Sequence, residues 1–175
     1  MISEPSADVC TAAESRAVRY ARESLAQVRA AGVDALIERH YREIAHFKDI
    51  PLDLDWVVYQ AAEEAGRLRI FTARAGVELV GYGAYIVTRN RHYKGSLQAI
   101  QDALFLAPER RGLLVGYQLI AFADRELAGE GVQVTYQHSK VAHPMDAVLK
   151  RQGYELVDTL WAKRLDGGSS PAEPR

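Results

Sequence analysis

Gln101 to Tyr117 reads QDALFLAPERRGLLVGY, and this stretch decides the fold. It continues a long strand that begins at Leu97 and stops at Pro108, because proline cannot donate to a sheet ladder and restricts the residue before it. A short loop carrying Arg110, Arg111 and Gly112 follows. Helical spacing then returns through Val115, Leu119, Phe122 and Leu127. A strand that enters a helix through a glycine-containing loop presents unpaired backbone N–H groups and a partial positive charge, the setting in which phosphate binds main chain. Arg110 or Arg111 could add charge there, or could simply be solvated. The stretch contains neither a Gly-Lys-Ser/Thr ending nor a Gly-x-Gly-x-x-Gly run, so it is not a Walker loop or a dinucleotide fingerprint.

Upstream, the period is two. Leu68, Ile70 and Thr72 alternate with Arg67, Arg69 and Phe71, and Ala75-Gly76 offers a turn before a second strand from Glu78 to Arg89. Before these strands the spacing predicts three helices. The first covers Glu14 to Ala31, the second runs from Val33 to Phe47 and ends before Asp49-Ile50-Pro51, and the third is capped by Asp53 and exits at Gly66. Downstream come a short strand, Val132 to Gln137, a short helix, Pro144 to Gln152, and one or two last strands within Tyr154 to Leu165. This order predicts an α+β (α/β) domain with a central, mixed, mostly antiparallel sheet flanked by helices on both faces.

Length supports one core in 175 residues. The domain reading is a flexible N-terminus at 1–13, an extra N-terminal helix at 14–31, the main domain at 32–165 and a flexible tail at 166–175. Lys and Arg number 22 against 23 Asp and Glu, a formal charge of -1, which supplies no field for nucleic acid or an anionic membrane. The lone Cys10 excludes an intrachain disulfide and suits a reducing cytoplasm, and the polar start and the absence of a long apolar run predict no signal peptide and no bilayer span. No His, Cys or carboxylate spacing suggests a metal site.

Leu104 to Gly116, LFLAPERRGLLVG, resembles the acetyl-CoA-binding motif of the GNAT superfamily of N-acetyltransferases, and Gln152-Gly153-Tyr154-Glu155 resembles the step before that family's last strands. The resemblance covers Val33 to Leu165. It implies acetyl-CoA as co-substrate and a primary amine, on a small molecule or a protein, as acceptor. It also implies that the main chain at Phe105 and Leu106 pairs with the pantetheine arm, and that the amides of Arg111, Gly112, Leu113, Leu114, Val115, Gly116 and Tyr117 hold the pyrophosphate. Two positions depart from the pattern: Glu109 stands where the family usually has Gln or Arg, and Leu114 where it has Gly or Ala.

Amide formation needs a neutral amine, donors for a developing oxyanion and a proton for the departing thiolate. Asp102 stands where many family members carry an acid that serves as base, so it is the candidate general base; alone it also reads as a surface carboxylate. A bulge at Phe105 or Leu106 would aim an N–H at the thioester carbonyl. The tyrosine that often protonates the thiolate aligns with Leu149, leaving His138, Lys140, His143, Tyr136, Tyr154 or water as donors, with His138 taken as the catalytic candidate. The acceptor is expected between the 46–52 loop, the Asn90 to Lys94 turn and the last hairpin. Arg89 to Lys94 reads as a patch for an acidic acceptor or as a solvated hairpin tip, and Tyr20, Tyr41, Tyr59, Tyr82 and Tyr85 read as core. Homodimers are common in the family. The alternative is a catalytically inactive GNAT-like module that binds CoA or a protein partner.

Overall fold

A computed structural model describes residues 17–112 and 114–167. Leu113 and the two terminal segments assigned above as flexible, apart from Asp166 and Gly167, therefore lie outside the described residues. The elements are β1 (Val18–Glu23), α1 (Leu25–Ala30), α2 (Val33–Ile44), α3 (Trp56–Glu64), β2 (Leu68–Ala75), β3 (Glu78–Arg89), β4 (Leu97–Leu106), α4 (Val115–Gly129), β5 (Val132–Tyr136) and α5 (Asp146–Arg151), with a 3-10 turn at Pro108–Arg110. The sheet runs β1-β2-β3-β4-β5. The first four strands form an antiparallel meander, and α4 carries the chain back so that β5 lies parallel to β4.

Each face of the sheet buries its own cluster. Leu25, Val28, Val33 and Leu36 of α1 and α2 pack with Ala62 of α3 over Ile70, Tyr82 and Phe105. On the other face Val115, Leu119, Ala123 and Leu127 of α4 cover Phe71, Tyr85 and Ala99. The expected mixed sheet with helices on both faces is the architecture observed. Gly81 is required where β4 ends, because a Cβ there would lie 2.9 Å from Leu106 Cδ1 and 3.0 Å from the Phe105 carbonyl oxygen.

The stretch read as one helix over 14–31 is instead strand β1 followed by helix α1. A capping box causes the switch: Ser24 Oγ accepts from the Gln27 N–H and Gln27 Oε1 accepts from the Ser24 N–H, so the helix begins at Leu25. Upstream of the cap the chain pairs with β2 from Val18↔Ala75 to Glu23↔Ile70, and Glu23 is clamped by Arg74 at 2.6 Å. The cap of α3 is Asp55, which accepts from the Val58 N–H, and not Asp53; the chain still runs irregularly at Asp53 and turns into a helix only at Trp56.

The strands expected within Tyr154 to Leu165 are also absent. Tyr154 is anchored, its hydroxyl donating to Asp124 Oδ1 at 2.6 Å, and Arg164 is held by Asp49 and Asp166. Between these anchors no described strand lies alongside, so the alternating pattern finds no ladder within this chain. Leu156, Val157, Leu160, Trp161 and Leu165 are left between 71% and 91% exposed.

Candidate active site

Strand β4 loses its neighbour partway along. Its pairing with β5 ends at Ile100↔Tyr136, whereas its pairing with β3 continues to Gly81↔Leu106. From Gln101 to Leu106 the outer edge of β4 therefore has no described strand beside it. The register with β3 slips at the head of this open edge, from Tyr85↔Gln101 to Ala84↔Ala103, which leaves Asp102 as the extra residue of a β-bulge. The bulge falls at Asp102 and not at Phe105 or Leu106. It turns Asp102 and Ala103, which a regular strand would send to opposite faces, into the wall of one cavity.

That cavity has a volume of about 460 Å³ and lies between β4 and the layer formed by α1, α2, α3 and the 45–54 loop. Tyr59 of α3 lines it and donates to Asp102 Oδ2 at 2.6 Å. Burial, followed by the hydrogen bond to Asp102, pushes the Tyr59 phenol far above its ordinary range, so the proton stays on Tyr59. Deeper in, His40 Nδ1 lies 2.8 Å from Tyr82 Oη and its ring stacks on Phe105 with centroids 4.9 Å apart. Burial lowers the His40 pKa to about 4, which keeps the ring neutral at physiological pH. The loop that closes the cavity is tied to α2 by the Tyr41 hydroxyl, which donates to the Ile50 carbonyl.

Beyond β4, Gly112 (φ 81°) and Leu114 (φ 60°) turn the chain into α4 through left-handed backbone. Leu114 is the N-cap, contributes no side-chain hydrogen bond and is 63% exposed, so it pays the steric cost of that conformation while its side chain stands in solvent. No acidic residue occupies the first turn. The leading amides, at Val115, Gly116 and Tyr117, are the donors that a helix start leaves without intrahelical partners. The flanking charges are already matched. Arg111 holds Glu43 at 2.7 Å, Arg39 holds Glu109 at 2.6 Å, and Arg110 lies 3.4 Å from Glu78. The Arg111 and Arg39 guanidiniums draw the Glu43 and Glu109 carboxyls below their usual range. Arg111 Nε also donates to the Leu106 carbonyl at 3.0 Å.

The residues singled out from sequence fall into two groups. Asp102 lines the cavity. Phe105, Leu106, Arg111, Gly112, Leu114, Val115, Gly116 and Tyr117 run continuously from the open edge to the helix start. His138 stands apart: it is exposed beyond β5, its main-chain N–H donates to Gln101 Oε1 at 3.0 Å, and its side chain does not line the cavity. His143 approaches Glu43 at 3.9 Å, and Tyr154 is committed to Asp124 and Gln137. Leu149 is buried. Of the segments named for the acceptor, the 46–52 loop lines the cavity through Phe47, Ile50, Pro51 and Leu52, but the Asn90 to Lys94 turn does not; there Asn90 Oδ1 accepts from the His92 and Tyr93 N–H groups in a self-contained tip. Tyr59 and His40 are lining residues that sequence reading did not place in a site, and Lys140, one of the candidate proton donors, also lines the cavity. Among the described residues no group of three or more His, Cys, Asp or Glu could hold a metal ion, and no helix is long and apolar enough to cross a membrane.

No family model matches the sequence and no curated protein matches it. Solved structures share its fold. A transcriptional regulator from Bacillus halodurans C-125 superimposes with a TM-score of 0.69 at 15% identity, over 85% of this chain and 100% of that one. The aminoglycoside N-acetyltransferase AAC(6')-Iy in complex with CoA gives 0.64 at 16% identity, over 86% and 95% of the two chains. Glucosamine-6-phosphate N-acetyltransferase from Arabidopsis thaliana gives 0.60 at 9% identity, over 86% and 100%. At these identities the likeness is one of fold.

Proposed function

We propose that this chain, which has the fold of the GNAT acetyltransferases, is an acetyl-CoA-dependent N-acetyltransferase acting on a primary amine, with Asp102 as its general base. The observation that carries this reading is the coincidence of the β4–β5 split, the bulge at Asp102 and the cavity at one point of the sheet. The residues fit an extended, phosphorylated ligand. The open edge of β4 at Phe105 and Leu106 can pair with an amide-bearing arm, and the uncapped start of α4, from Leu114 to Tyr117, can bind a pyrophosphate through backbone N–H groups. Because Arg110 and Arg111 are already paired, backbone donors and not free arginine charge would carry the phosphate interaction.

Acetyl-CoA, when bound, supplies an acetyl group whose thioester bond breaks as the amide bond forms; of the three ammonium protons one passes to a base, one ends on the CoA thiolate and one stays on the amide nitrogen. Asp102 would take the first. Tyr59 fixes one of its oxygens, leaving Oδ1 with no hydrogen-bond partner among the described residues. Tyr59 thus acts as a positioning residue. His138, exposed beyond β5, would serve as proton donor only at the rim, where water competes with it. A reducing cytoplasm suits the chain's single cysteine, and the exposed apolar residues of the 154–165 segment support a homodimer.

The buried Leu149, standing where the resembling family often has tyrosine, favours a second reading as a binding module without turnover. Thermal unfolding with acetyl-CoA, CoA, ATP and NAD, together with thiol release in the presence of amines, tests both. At about 100 times its dissociation constant a ligand stabilises the native state by roughly 2.7 kcal/mol, worth roughly 5 to 10 °C for a chain of this size. The expected result is such a shift with acetyl-CoA and CoA only, accompanied by thiol release. A shift without release under any amine favours the binding module, and no shift removes the cofactor reading.

A further inference from the structure

The walls of the cavity beside Asp102 are almost wholly apolar. Trp56 and Leu54 from α3 and its lead-in, Ile37 and Ile44 from α2, and Phe47 and Ile50 from the loop face one another across about 460 Å³, a volume in the range of small-molecule sites. Among the described residues Asp53, Asp102 and Lys140 are its only charged lining residues, all three exposed, and the His40 ring is neutral. Asp102 is exposed, so it belongs to the rim, on the side where β4 runs into its open edge. A ligand that fills this space must shed water from whatever it inserts, and a charge carried past these exposed groups into the apolar walls would find no partner there.

We infer that the acceptor is a hydrophobic primary amine, with an alkyl or aryl body seated in the cavity and the nitrogen held at the rim by Asp102. This rests on the acetyltransferase reading for the chemistry, but the binding preference follows from the cavity alone. A polyamine, an aminoglycoside or a lysine on a protein surface would each carry a second charge or a polar backbone into apolar walls. A simple alkylamine carries none.

A matched series tests this. Butylamine, hexylamine and 1,6-diaminohexane are titrated calorimetrically into the protein, and thiol release with acetyl-CoA is recorded for each. Each buried methylene is worth about 0.8 kcal/mol, or about fourfold in affinity, so hexylamine should bind roughly 15-fold more tightly than butylamine. The diamine matches hexylamine in length but adds a terminal ammonium, and should bind at least tenfold more weakly than hexylamine. Ile50 is 47% exposed on the loop, so Ile50→Lys is expected to fold and to weaken hexylamine binding about tenfold. Equal affinity for butylamine and hexylamine, a diamine that binds as well as hexylamine, or hexylamine binding untouched by I50K would each overturn the inference. Hexylamine binding with the expected preferences but no thiol release leaves the cavity's preference standing and instead removes acetyl transfer.

Discussion

Asp102→Asn is expected to lower the rate of amine acetylation by about 100-fold or more at neutral pH, while the thermal shift with acetyl-CoA stays as in the parent chain. The substitution keeps the shape of the side chain and leaves an amide oxygen for the Tyr59 hydroxyl, which now donates to Asp102 at 2.6 Å. What it removes is a group able to accept a proton. An alkylamine has a pKa near roughly 10, so only about one molecule in a thousand is neutral at pH 7, and a positioned base typically contributes on the order of 10²- to 10⁴-fold. The variant should therefore regain activity with rising pH, close to tenfold per unit between pH 7 and 9, because solution then supplies the neutral amine. Thiol release measured across that range checks it. A variant as active as the parent at pH 7 would remove Asp102 from the chemistry.

Phe71→Ala carries the largest expected effect on stability. Phe71 is fully buried on β2, opposite Gly83 in the ladder, and its ring meets Tyr85 edge-on at 5.7 Å and Phe122 of α4 edge-on at 5.9 Å. Gly83 has no side chain with which to fill the gap. Truncating a buried phenylalanine usually costs about 3 to 5 kcal/mol, a large part of the roughly 5 to 15 kcal/mol available to a domain. For a chain of this length the melting temperature should fall on the order of 10 °C, and denaturant titration would give the free energy directly. A loss below about 1 kcal/mol would mean that α4 can close onto the sheet, and that the start of α4 is less firmly placed than its packing implies.

Much of the architecture could be read from local pattern. The alternation through Leu68 to Arg89, the stop at Pro108 and the helical spacing after Val115 each depend on neighbours a few residues away, and the elements stand where those signals put them. The error over 14–31 was also local. Val18, Ala21, Leu25 and Val28 satisfy helical spacing, but Ser24 and Gln27 form a capping box that starts a helix at Leu25 and leaves the preceding residues to pair with β2. The cap was legible; the strand partner was not, because it lies across the chain at Ile70 to Ala75. The same holds for the site. Asp102 could be singled out from its position before the loop, whereas Tyr59 looked like one more aromatic residue of a helix face until the fold brought it to Asp102 across 43 positions of sequence. The bulge at Asp102 left no glycine or proline to announce it. It exists because two registers of the β3–β4 ladder meet there.

The two ladders of β2 differ in how far the chain must travel to close them. With β3, the strand closes through the two-residue turn Gly76-Val77; with β1, it must bring Ile70 back to Glu23 past three intervening helices. Loop-closure entropy penalises the second route, so the β2–β3–β4 meander should assemble early and β1 dock late. At equilibrium the same asymmetry makes β1, an edge strand, readier to peel away than β3. Its amides should exchange with solvent deuterium through a sub-global opening, at rates well above those of β3, whose ladders are flanked on both sides. Equal protection in β1 and β3 would mean that the Glu23–Arg74 clamp binds the edge into one cooperative unit. If β1 opens, it also releases the Tyr20 hydroxyl from the Val115 carbonyl and the Gln118 side chain, so loosening this edge would slacken the start of α4 while leaving Asp102, three strands away, in place.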